Sequence, residues 1–410
     1  MDQKLRADAE RIVRHAIASV LPDRAVERAL EGMEFPGRVF LVAAGKAAWQ
    51  MSRAAVRCLK TPIAGGVCVT KYGHVAGEIP GVTCVEAGHP VPDENSFRGT
   101  DMVLELTREL RETDTVLFLL SGGGSALFEK PLIPGEELQD ITNQLLASGA
   151  DIVKINTIRK RLSAVKGGRF ALACAPAQVF SIVLSDILGD PLDMIASGPA
   201  VPDSSTCAQA IAIAEKYQLK LTNQARDLLA QETPKELTNV TTQITGSVRE
   251  LCAAAAKACQ ELGYEPVILT DQLCCQAKEA GSFLASILKT HAGCGKKMAF
   301  LAGGETVVQL TGHGKGGRNQ ELALSAALGI AGIPGAAVFS VGSDGTDGPT
   351  DAAGGYADYE TAGTLKAQGI EIYQVLQDND AYHALQKSGG LIITGPTGTN
   401  VNDVAVALLG

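Results

Sequence analysis

The chain has 410 residues, of which 46% are hydrophobic and 20% are charged, a composition that excludes a wholly disordered protein. At about 150 residues per domain, a chain of this length predicts two domains. The 36 Lys and Arg residues against 45 Asp and Glu give a net charge of −9, and only 4% of the residues are aromatic, so no nucleic-acid-binding surface is expected.

The N-terminal segment predicts an amphipathic helix rather than a signal peptide, because Leu5, Ile12, Val13 and Ala16 recur at helical spacing among charged residues. No apolar run reaches the roughly 18 residues of a membrane-spanning helix, so none is expected. The ten cysteines form neither a CxxC pair nor a metal-binding spacing with histidine. Such cysteines are typical of reduced thiols, and we expect a cytoplasmic protein.

Short, continuously apolar runs alternate with longer amphipathic stretches along the chain. Continuous rather than alternating hydrophobicity is typical of parallel strands that are covered on both faces. The alternation of strands and helices predicts a doubly wound α/β architecture. The predicted strands are 39–45, 65–70, 82–88, 115–122, 179–186, 266–271, 298–305, 337–344 and 390–396.

A polar stretch at 231–247, which contains Pro234, separates two strand-rich halves of the sequence. Its composition predicts a connection between domains. We therefore expect one domain over residues 1–240 and a second over residues 241–410.

Two loops that follow predicted strands are suited to phosphate. Lys46 comes directly after Gly45, where a strand should turn into a helix, so its ammonium can lie beside an anion bound at the helix N-terminus. Three consecutive glycines, Gly122–Gly124, leave backbone N–H groups open to a phosphate. They match neither the Walker A loop nor the dinucleotide fingerprint. The alternative for Lys46 is an ordinary surface lysine, and the alternative for Gly122–Gly124 is an ordinary tight turn.

Charged residues mark three further segments. Six basic residues and no acidic one lie between Lys154 and Arg169, and we expect this run to attract anions, with a solvated helix face as the alternative. Lys154 and Arg161, seven residues apart, lie on one helical face. Asp186 ends an apolar run, where a carboxylate can hold Mg²⁺. Arg318 and Asn319 begin a helix after a glycine-rich stretch, where a guanidinium can clamp a carboxylate or phosphoryl group.

The C-terminal third adds carboxylates and uncharged polar groups. Asp344, Asp347 and Asp351 lie among glycines at a spacing that does not match the EF-hand, so Mg²⁺ binding and helix capping both remain open. The segment with Thr397 and Asn400 follows an apolar run and offers hydroxyl and amide groups suited to a small polar ligand.

These segments together resemble the class II glycerate kinases, which phosphorylate the 2-hydroxyl of D-glycerate. They occur in the order of that family over roughly residues 40–403. The segments that carry the resemblance are VAAGKAAWQM, LLSGGGSAL, NTIRKRLSAVKGGR, SDILGDPLDMIASGPAVPD, GGETVVQLTGHGKGGRNQE, SVGSDGTDGPTDAAGG and GPTGTNVND.

The resemblance implies an α/β fold of two domains, a larger, Rossmann-like N-terminal domain with a parallel sheet and a smaller α/β C-terminal domain of the MOFRL type, with the active site in the cleft between them. It implies ATP and Mg²⁺ as cofactors and D-glycerate as the substrate, and it matches the catalytic lysine and arginine of the family to Lys46 and Arg318.

From the residues and the resemblance together, we expect Lys46, Arg318 and Asp186 to be catalytic, with Asp186 also a candidate Mg²⁺ ligand beside Asp344 and Asp347. The residues expected to bind nucleotide or substrate are Ser121, Gly122, Gly123, Gly124, Ser125, Lys154, Arg161, Glu305, Asn319, Thr397 and Asn400.

Two other functions are weighed against the kinase. A nicotinamide-dependent hydroxypyruvate reductase would carry a dinucleotide fingerprint with an acidic residue about 20 positions later, and we identify neither. A sugar-acid-binding protein without enzymatic activity would bind its ligand without turning over ATP. The expected partners are small molecules, with neither nucleic acid nor a membrane, and the sequence leaves open whether the chain is a monomer or a homodimer.

Overall fold

The computed structural model describes all 410 residues and divides them into two compact units. The parallel-sheet unit comprises Ala25–Thr245, and the mixed-sheet unit comprises Met1–Arg24 with Gly246–Gly410. The change of unit at residue 245 lies close to the predicted boundary at 240. The N-terminal segment differs from the prediction, because it belongs to the second unit rather than the first.

The secondary structure consists of sixteen α-helices and twelve strands. The helices are α1 Gln3–Ser19, α2 Pro22–Leu30, α3 Ala48–Cys58, α4 Glu94–Leu106, α5 Gly124–Leu127, α6 Gly135–Ala147, α7 Ile152–Arg161, α8 Arg169–Ala173, α9 Cys207–Lys216, α10 Asn223–Leu229, α11 Val248–Glu261, α12 Ala277–His291, α13 Arg318–Ile330, α14 Thr361–Ala367, α15 Ile372–Gln377 and α16 Ala381–Ser388. The strands are β1 Val39–Ala44, β2 Gly65–Lys71, β3 Val82–Ala87, β4 Thr115–Leu120, β5 Gln178–Leu184, β6 Val240–Gly246, β7 Glu265–Leu273, β8 Met298–Gly304, β9 Ala336–Gly342, β10 Gly354–Asp358, β11 Leu391–Ile392 and β12 Asp403–Leu409.

Helix α1 shows why the N-terminal segment leaves the first domain. It is amphipathic as predicted, and its apolar face, which includes Ile12 and Ala16, is buried against α11. Polar contacts fix its start, since the Asp2 N–H donates to Asp358 Oδ2 at 2.7 Å and Arg6 Nη2 donates to the Leu391 carbonyl at 2.8 Å. All of these partners lie beyond residue 246, so the segment folds with the second half of the chain.

The parallel-sheet unit contains a six-stranded sheet in the order β3-β2-β1-β4-β5-β6. Strand β1 pairs in parallel with both β2 and β4, and β2–β3 and β4–β5 are parallel as well. Every residue of β1 and β4 is buried, which accounts for their continuously apolar sequence. The strand order is that of the Rossmann fold, so the predicted fold class is confirmed. The order reverses between β1 and β4, and ligands of such sheets bind at this reversal.

The mixed-sheet unit contains a second six-stranded sheet in the order β11-β10-β9-β12-β8-β7. Strand β12 runs antiparallel between β8 and β9, and β10 runs antiparallel to β9. The four predicted strands of this sheet, β7, β8, β9 and β11, run in one direction, and the sheet is mixed because the two unpredicted strands β10 and β12 run antiparallel between them. Strands β8, β9 and β12 are almost wholly buried, so their continuous hydrophobicity reports burial rather than direction.

Three strands were not predicted from the sequence. Strand β6 lies inside the polar stretch that was interpreted as a connection. It is an edge strand in which Thr241 is exposed and Val240, Thr242, Gln243 and Ile244 are partly exposed. Strand β10 is short and contains two glycines, and β12 begins with Asp403 within the last predicted loop. No helix of the structure is both long enough and apolar enough to cross a membrane.

We expect two helical glycines of the mixed-sheet unit to respond in opposite ways to alanine. A Cβ on Gly281 in α12 would lie 2.1 Å from the Leu322 carbonyl oxygen of α13, so Gly281→Ala forces the helices apart and lowers the free energy of unfolding by about 1–3 kcal/mol. A Cβ on Gly363 in α14 would have no neighbour within 4 Å, so Gly363→Ala raises the free energy of unfolding by about 0.5–1 kcal/mol. Urea denaturation followed by circular dichroism measures both changes, and a stabilising Gly281→Ala would contradict the packing.

Candidate active site

The loops after β1 and β4 meet at the reversal of strand order and are joined by hydrogen bonds. The Lys46 N–H donates to the Gly122 carbonyl at 2.9 Å, and the Ala47 N–H donates to Ser121 Oγ at 3.1 Å. Gly45 has a φ of 126°, and a Cβ there would lie 2.2 Å from Ser121 Oγ. Glycine is therefore required at 45, and Ser121 fixes the loop that follows β1.

Three side chains from other loops converge on Gly122 and Gly123. A Cβ on Gly122 would lie 2.2 Å from Asp186 Oδ2. A Cβ on Gly123 would lie 3.0 Å from His89 Cδ2 and 3.3 Å from Lys46 Cγ. The structure thus brings together Lys46, Asp186 and the glycine loop, as predicted for one site. His89, which follows β3, was not singled out from the sequence.

The electrostatics of this cluster favour an anion. The Lys46 side chain is half-buried, and its ammonium makes no hydrogen bond or ion pair within the protein. Burial lowers the pKa of His89, and the charge of Lys46 lowers it further, so the imidazole is neutral at neutral pH. An uncompensated cation beside a glycine loop can receive a phosphate.

A buried group of charges lies behind the glycine loop. The ammonium of Lys166 donates to the carbonyls of Ser125 at 2.9 Å and Phe128 at 3.0 Å, and Arg159 Nη2 also donates to Ser125 O at 3.0 Å. Both cations lie 3.5 Å from the buried carboxylate of Glu129. Burial lowers the pKa of Lys166 to about 8, although Glu129 opposes this. Ser125 therefore contributes its carbonyl to a fixed internal network.

The predicted basic run is for the most part internal. Lys154 pairs with Asp151, the residue that caps α7. The Arg161 side chain is fully buried, donates to Ser205 Oγ at 2.9 Å and lies 3.7 Å from the Asp203 carboxylate. The two residues share a helix as expected, but the structure engages both with protein carboxylates, and their contact with nucleotide stays a prediction.

In the mixed-sheet unit, Arg318 is held in a carboxylate fork. Its Nε and Nη2 donate to the two oxygens of Asp403 at 2.5 and 3.0 Å, and its Nη1 donates to Glu305 Oε1 at 2.8 Å. Burial lowers the pKa of Arg318, but its contacts with Asp403 and Glu305 raise it, and the net direction is upward. The structure thus joins the predicted residues Arg318 and Glu305 directly and adds Asp403, which sequence reasoning missed although it opens a buried apolar run.

Asp347 caps the helix that carries Arg318. One carboxylate oxygen accepts from the Asn319 N–H at 3.1 Å and the other from the Gln320 N–H at 2.9 Å. The side-chain amides of the same two residues donate to it as well. Asn319 Oδ1 also accepts from Ser340 Oγ. Asp347 and Asn319 therefore fix the start of α13. Of the two alternatives given for Asp347, Mg²⁺ binding and helix capping, the structure shows capping.

The last predicted segment lies beside Asp344. The Thr397 hydroxyl donates to the Ser343 carbonyl at 2.6 Å, and the Thr397 N–H donates to the Asp344 carbonyl at 3.2 Å. Asn400 Oδ1 accepts from the Asn402 N–H at 3.4 Å. The structure thus brings Thr397 and Asp344 together, as parts of one set of loops.

No group of three or more His, Cys, Asp or Glu side chains among the 410 residues could hold a metal ion by itself. The carboxylate of Asp347 is already occupied by four donors, so it does not fit a ligand role. Asp186 and Asp344 are carboxylates of the kind that Mg²⁺ takes when it is bound with substrate phosphates, and their contact with a metal ion stays a prediction.

One glycine cluster does have the spacing of a dinucleotide fingerprint, so the expectation that the sequence lacks this spacing was wrong. Residues 312–317 read GHGKGG and precede α13. A Cβ on Gly312 would lie 2.3 Å from Asp378 Cα, and a Cβ on Gly314 would lie 2.4 Å from Asp380 Cβ. These glycines therefore permit close packing on the turn at 378–380, which fixes the segment that leads to Arg318.

Comparison with known proteins agrees with these features. The family described as "Domain of unknown function (DUF4147)" matches residues 8–230, and the MOFRL family matches residues 298–403. A D-glycerate 2-kinase of Thermotoga maritima is 53% identical, with 99% of each chain covered. The crystal structure of a glycerate kinase from Thermotoga maritima has a TM-score of 0.96 at 52% identity and covers 100% of both chains. A putative hydroxypyruvate reductase of Agrobacterium vitis is 38% identical, with 100% of this chain and 95% of that protein covered. Because these matches extend over the whole chain, this protein belongs to the class II glycerate 2-kinase family.

Proposed function

We propose that the chain is a kinase that transfers the γ-phosphoryl group of ATP to the 2-hydroxyl of D-glycerate, giving ADP and 2-phosphoglycerate. The names of the relatives supply the substrate and the reaction. The observation that carries the proposal is the uncompensated ammonium of Lys46 on a glycine loop at the reversal of strand order. We also propose that the enzyme acts in the cytoplasm.

Phosphoryl transfer depends on positioning and on neutralising charge more than on covalent chemistry. The backbone N–H groups of Gly122 and Gly123 and the ammonium of Lys46 would bind phosphate oxygens of ATP, whereas the Gly124 N–H donates to the Ser121 carbonyl at 3.3 Å. Mg²⁺, when bound with the nucleotide, would neutralise further phosphate charge. Asp186, which lies against Gly122, would orient the hydroxyl of glycerate toward the phosphorus.

Arg318 is proposed to bind the transferring phosphoryl group or the glycerate carboxylate. A guanidinium has five N–H donors, and three of the nitrogens each donate to Asp403 or Glu305. Two N–H groups are therefore left to donate to an anion, in an orientation that the two carboxylates fix beforehand. Such preorganised donors stabilise charge in a transition state without rearranging.

The regiochemistry of the product provides the first test. Purified protein with Mg·ATP and D-glycerate should produce 2-phosphoglycerate, which enolase consumes without a mutase. Enolase coupling that requires added mutase would mean 3-phosphoglycerate and would exclude the proposed activity. Oxidation of NADH with hydroxypyruvate, in the absence of ATP, would instead support the reductase.

Removing either proposed catalytic cation should lower turnover strongly. We expect Lys46→Ala and Arg318→Ala each to lower kcat by about a hundredfold or more, the scale of about 3 kcal/mol for one preorganised electrostatic contact. Arg318→Lys should restore little, because an ammonium cannot replace the planar fork held by Asp403. Lys60→Ala, which removes an exposed lysine paired with Glu34, is the matched control and should change kcat by less than about twofold.

The double variant Lys46→Ala/Arg318→Ala tests whether the two cations act on the same group or on different groups. If Lys46 and Arg318 stabilise the same phosphoryl group, their losses should not add in the double variant. Fully additive losses would place Lys46 on the nucleotide and Arg318 on the glycerate carboxylate. Near-wild-type kcat in either single variant, with circular dichroism showing an intact fold, would remove that residue from the catalytic group.

Asp403 predicts an acid limb in the pH dependence of turnover. Burial raises the pKa of this carboxyl to about 6, even though Arg318 opposes the shift. A raised carboxyl pKa means that Asp403 takes up a proton as the pH falls through about 6, and the fork around Arg318 then loses one charged partner. We expect kcat of the wild type to fall below that pH and the profile of Asp403→Asn to be lower and to lack this limb. An identical acid limb in both proteins would contradict this role.

A further inference from the structure

An open groove in the parallel-sheet unit has no role in the site described above. It has a volume of about 840 Å³ and is formed by the turn after β3 and by helices α4, α6 and α7. Three of its apolar side chains remain largely exposed, namely Val91 at 52%, Leu146 at 60% and Ile152 at 59%. Phe97, Leu138 and Ile155 add further apolar lining. Apolar surface that is left open in a concavity is typical of a ligand site.

Two lining residues connect the groove to the surroundings of the glycine loop. Arg159 lines the groove and donates to the carbonyl of Ser125, at the end of that loop. On the other side, His89 lies against Gly123, and the next residues along the chain, Pro90 and Val91, line the groove. A ligand with its phosphates on the glycine loop would therefore have the groove nearby for its remaining part.

The charges of the groove decide which part of a ligand fits there. Its rim carries the carboxylates of Asp93, Glu94, Glu136 and Asp140, whereas its one cation, Arg159, is already paired with Glu129. A phosphate or a carboxylate would be repelled by this rim. An uncharged planar ring with an amino group is complementary, because the apolar side chains cover its faces and the acidic rim accepts from its N–H donors.

We propose that this groove binds the adenine ring of ATP while the glycine loop binds its phosphates. The assignment rests on the proposed kinase function and deepens it, since it names the residues that recognise the nucleotide base. It excludes D-glycerate from the groove, because that substrate is a small polar anion.

Two neighbouring residues of α7 give a matched test. Ile152 and Val153 are equally exposed, at 59% and 58%, and both lie in the first turn of the helix, where an aspartate is tolerated. Only Ile152 lines the groove. Ile152→Asp places a carboxylate at a position that the adenine ring should cover. We therefore expect the KM for ATP to rise about tenfold or more. Val153→Asp adds the same charge outside the groove and should change the KM for ATP by less than about twofold.

A second pair on α6 repeats the comparison from another side of the groove. Leu146 lines it and the exposed neighbour Ala147 does not. We expect Leu146→Asp to raise the KM for ATP and Ala147→Asp to leave it nearly unchanged. The KM for D-glycerate should stay within about twofold in all four variants, because the substituted groups lie away from the glycerate.

Binding without turnover distinguishes failure of the groove from failure of the kinase. NMR titration should show that adenosine binds the wild type and binds Ile152→Asp more weakly, whereas inorganic tripolyphosphate binds both alike. An unchanged KM for ATP in Ile152→Asp and Leu146→Asp, or a rise in the KM for D-glycerate instead, would overturn the groove assignment and leave the kinase standing. Absence of phosphoryl transfer by the wild type would overturn the kinase, while the adenosine titration would still decide the groove.

Discussion

Close approach of loops at the carboxyl ends of β1 and β4 is the constraint on which the candidate site depends. The space that a Cβ on Gly122 would take is filled by Asp186, and the space beside Gly123 is shared by His89 and Lys46. Any side chain on this loop would displace the groups that lie against it. The glycines therefore do two things at once: they open backbone N–H groups to a ligand, and they admit the charged side chains that would act on it.

Charge compensation then decides which cations of this acidic protein are available to a ligand. The ammonium groups of Lys160 and Lys166 are buried against Asp203 and Glu129, where they hold loops together. Lys46 has no such partner, which leaves its charge for a phosphate. Arg318 is intermediate, because Asp403 and Glu305 fix its plane while part of the guanidinium remains free to donate. Removing one partner of a buried pair leaves a charge uncompensated, so the internal pairs also stabilise the fold.

Whether a sequence pattern predicted the structure correctly depends on which physical property that pattern reflects. Continuous apolar runs predicted β1, β2, β4 and β5 of the parallel sheet because these strands are buried on both faces. The edge strand β3 was predicted as well, although it is partly exposed. The same pattern found β7, β8, β9 and β11 of the second sheet, which run in one direction, but it missed β12, which runs antiparallel between β8 and β9 and is just as deeply buried. Likewise, the basic run at 154–169 predicted an anion-attracting face, yet the structure turns Arg161 inward to Asp203. Hydrophobicity indicates which residues are buried, and charge indicates which chemical groups are present. Neither indicates which residue each group will contact.

The sequence by itself determined the α/β class, the glycine loop and the family, because these follow from local periodicity and from motifs that are contiguous in the chain. The resemblance to the family in turn implied the Rossmann-like first sheet. The sequence also placed Lys46 and Arg318 at the ends of elements. Only the tertiary structure decided that α1 folds with the second half of the chain, that His89 lies on the glycine loop, and that Asp403 holds Arg318 across a separation of 85 residues. Such contacts depend on how distant segments pack against one another, and burial and pairing between them leave no local pattern in the order of residues.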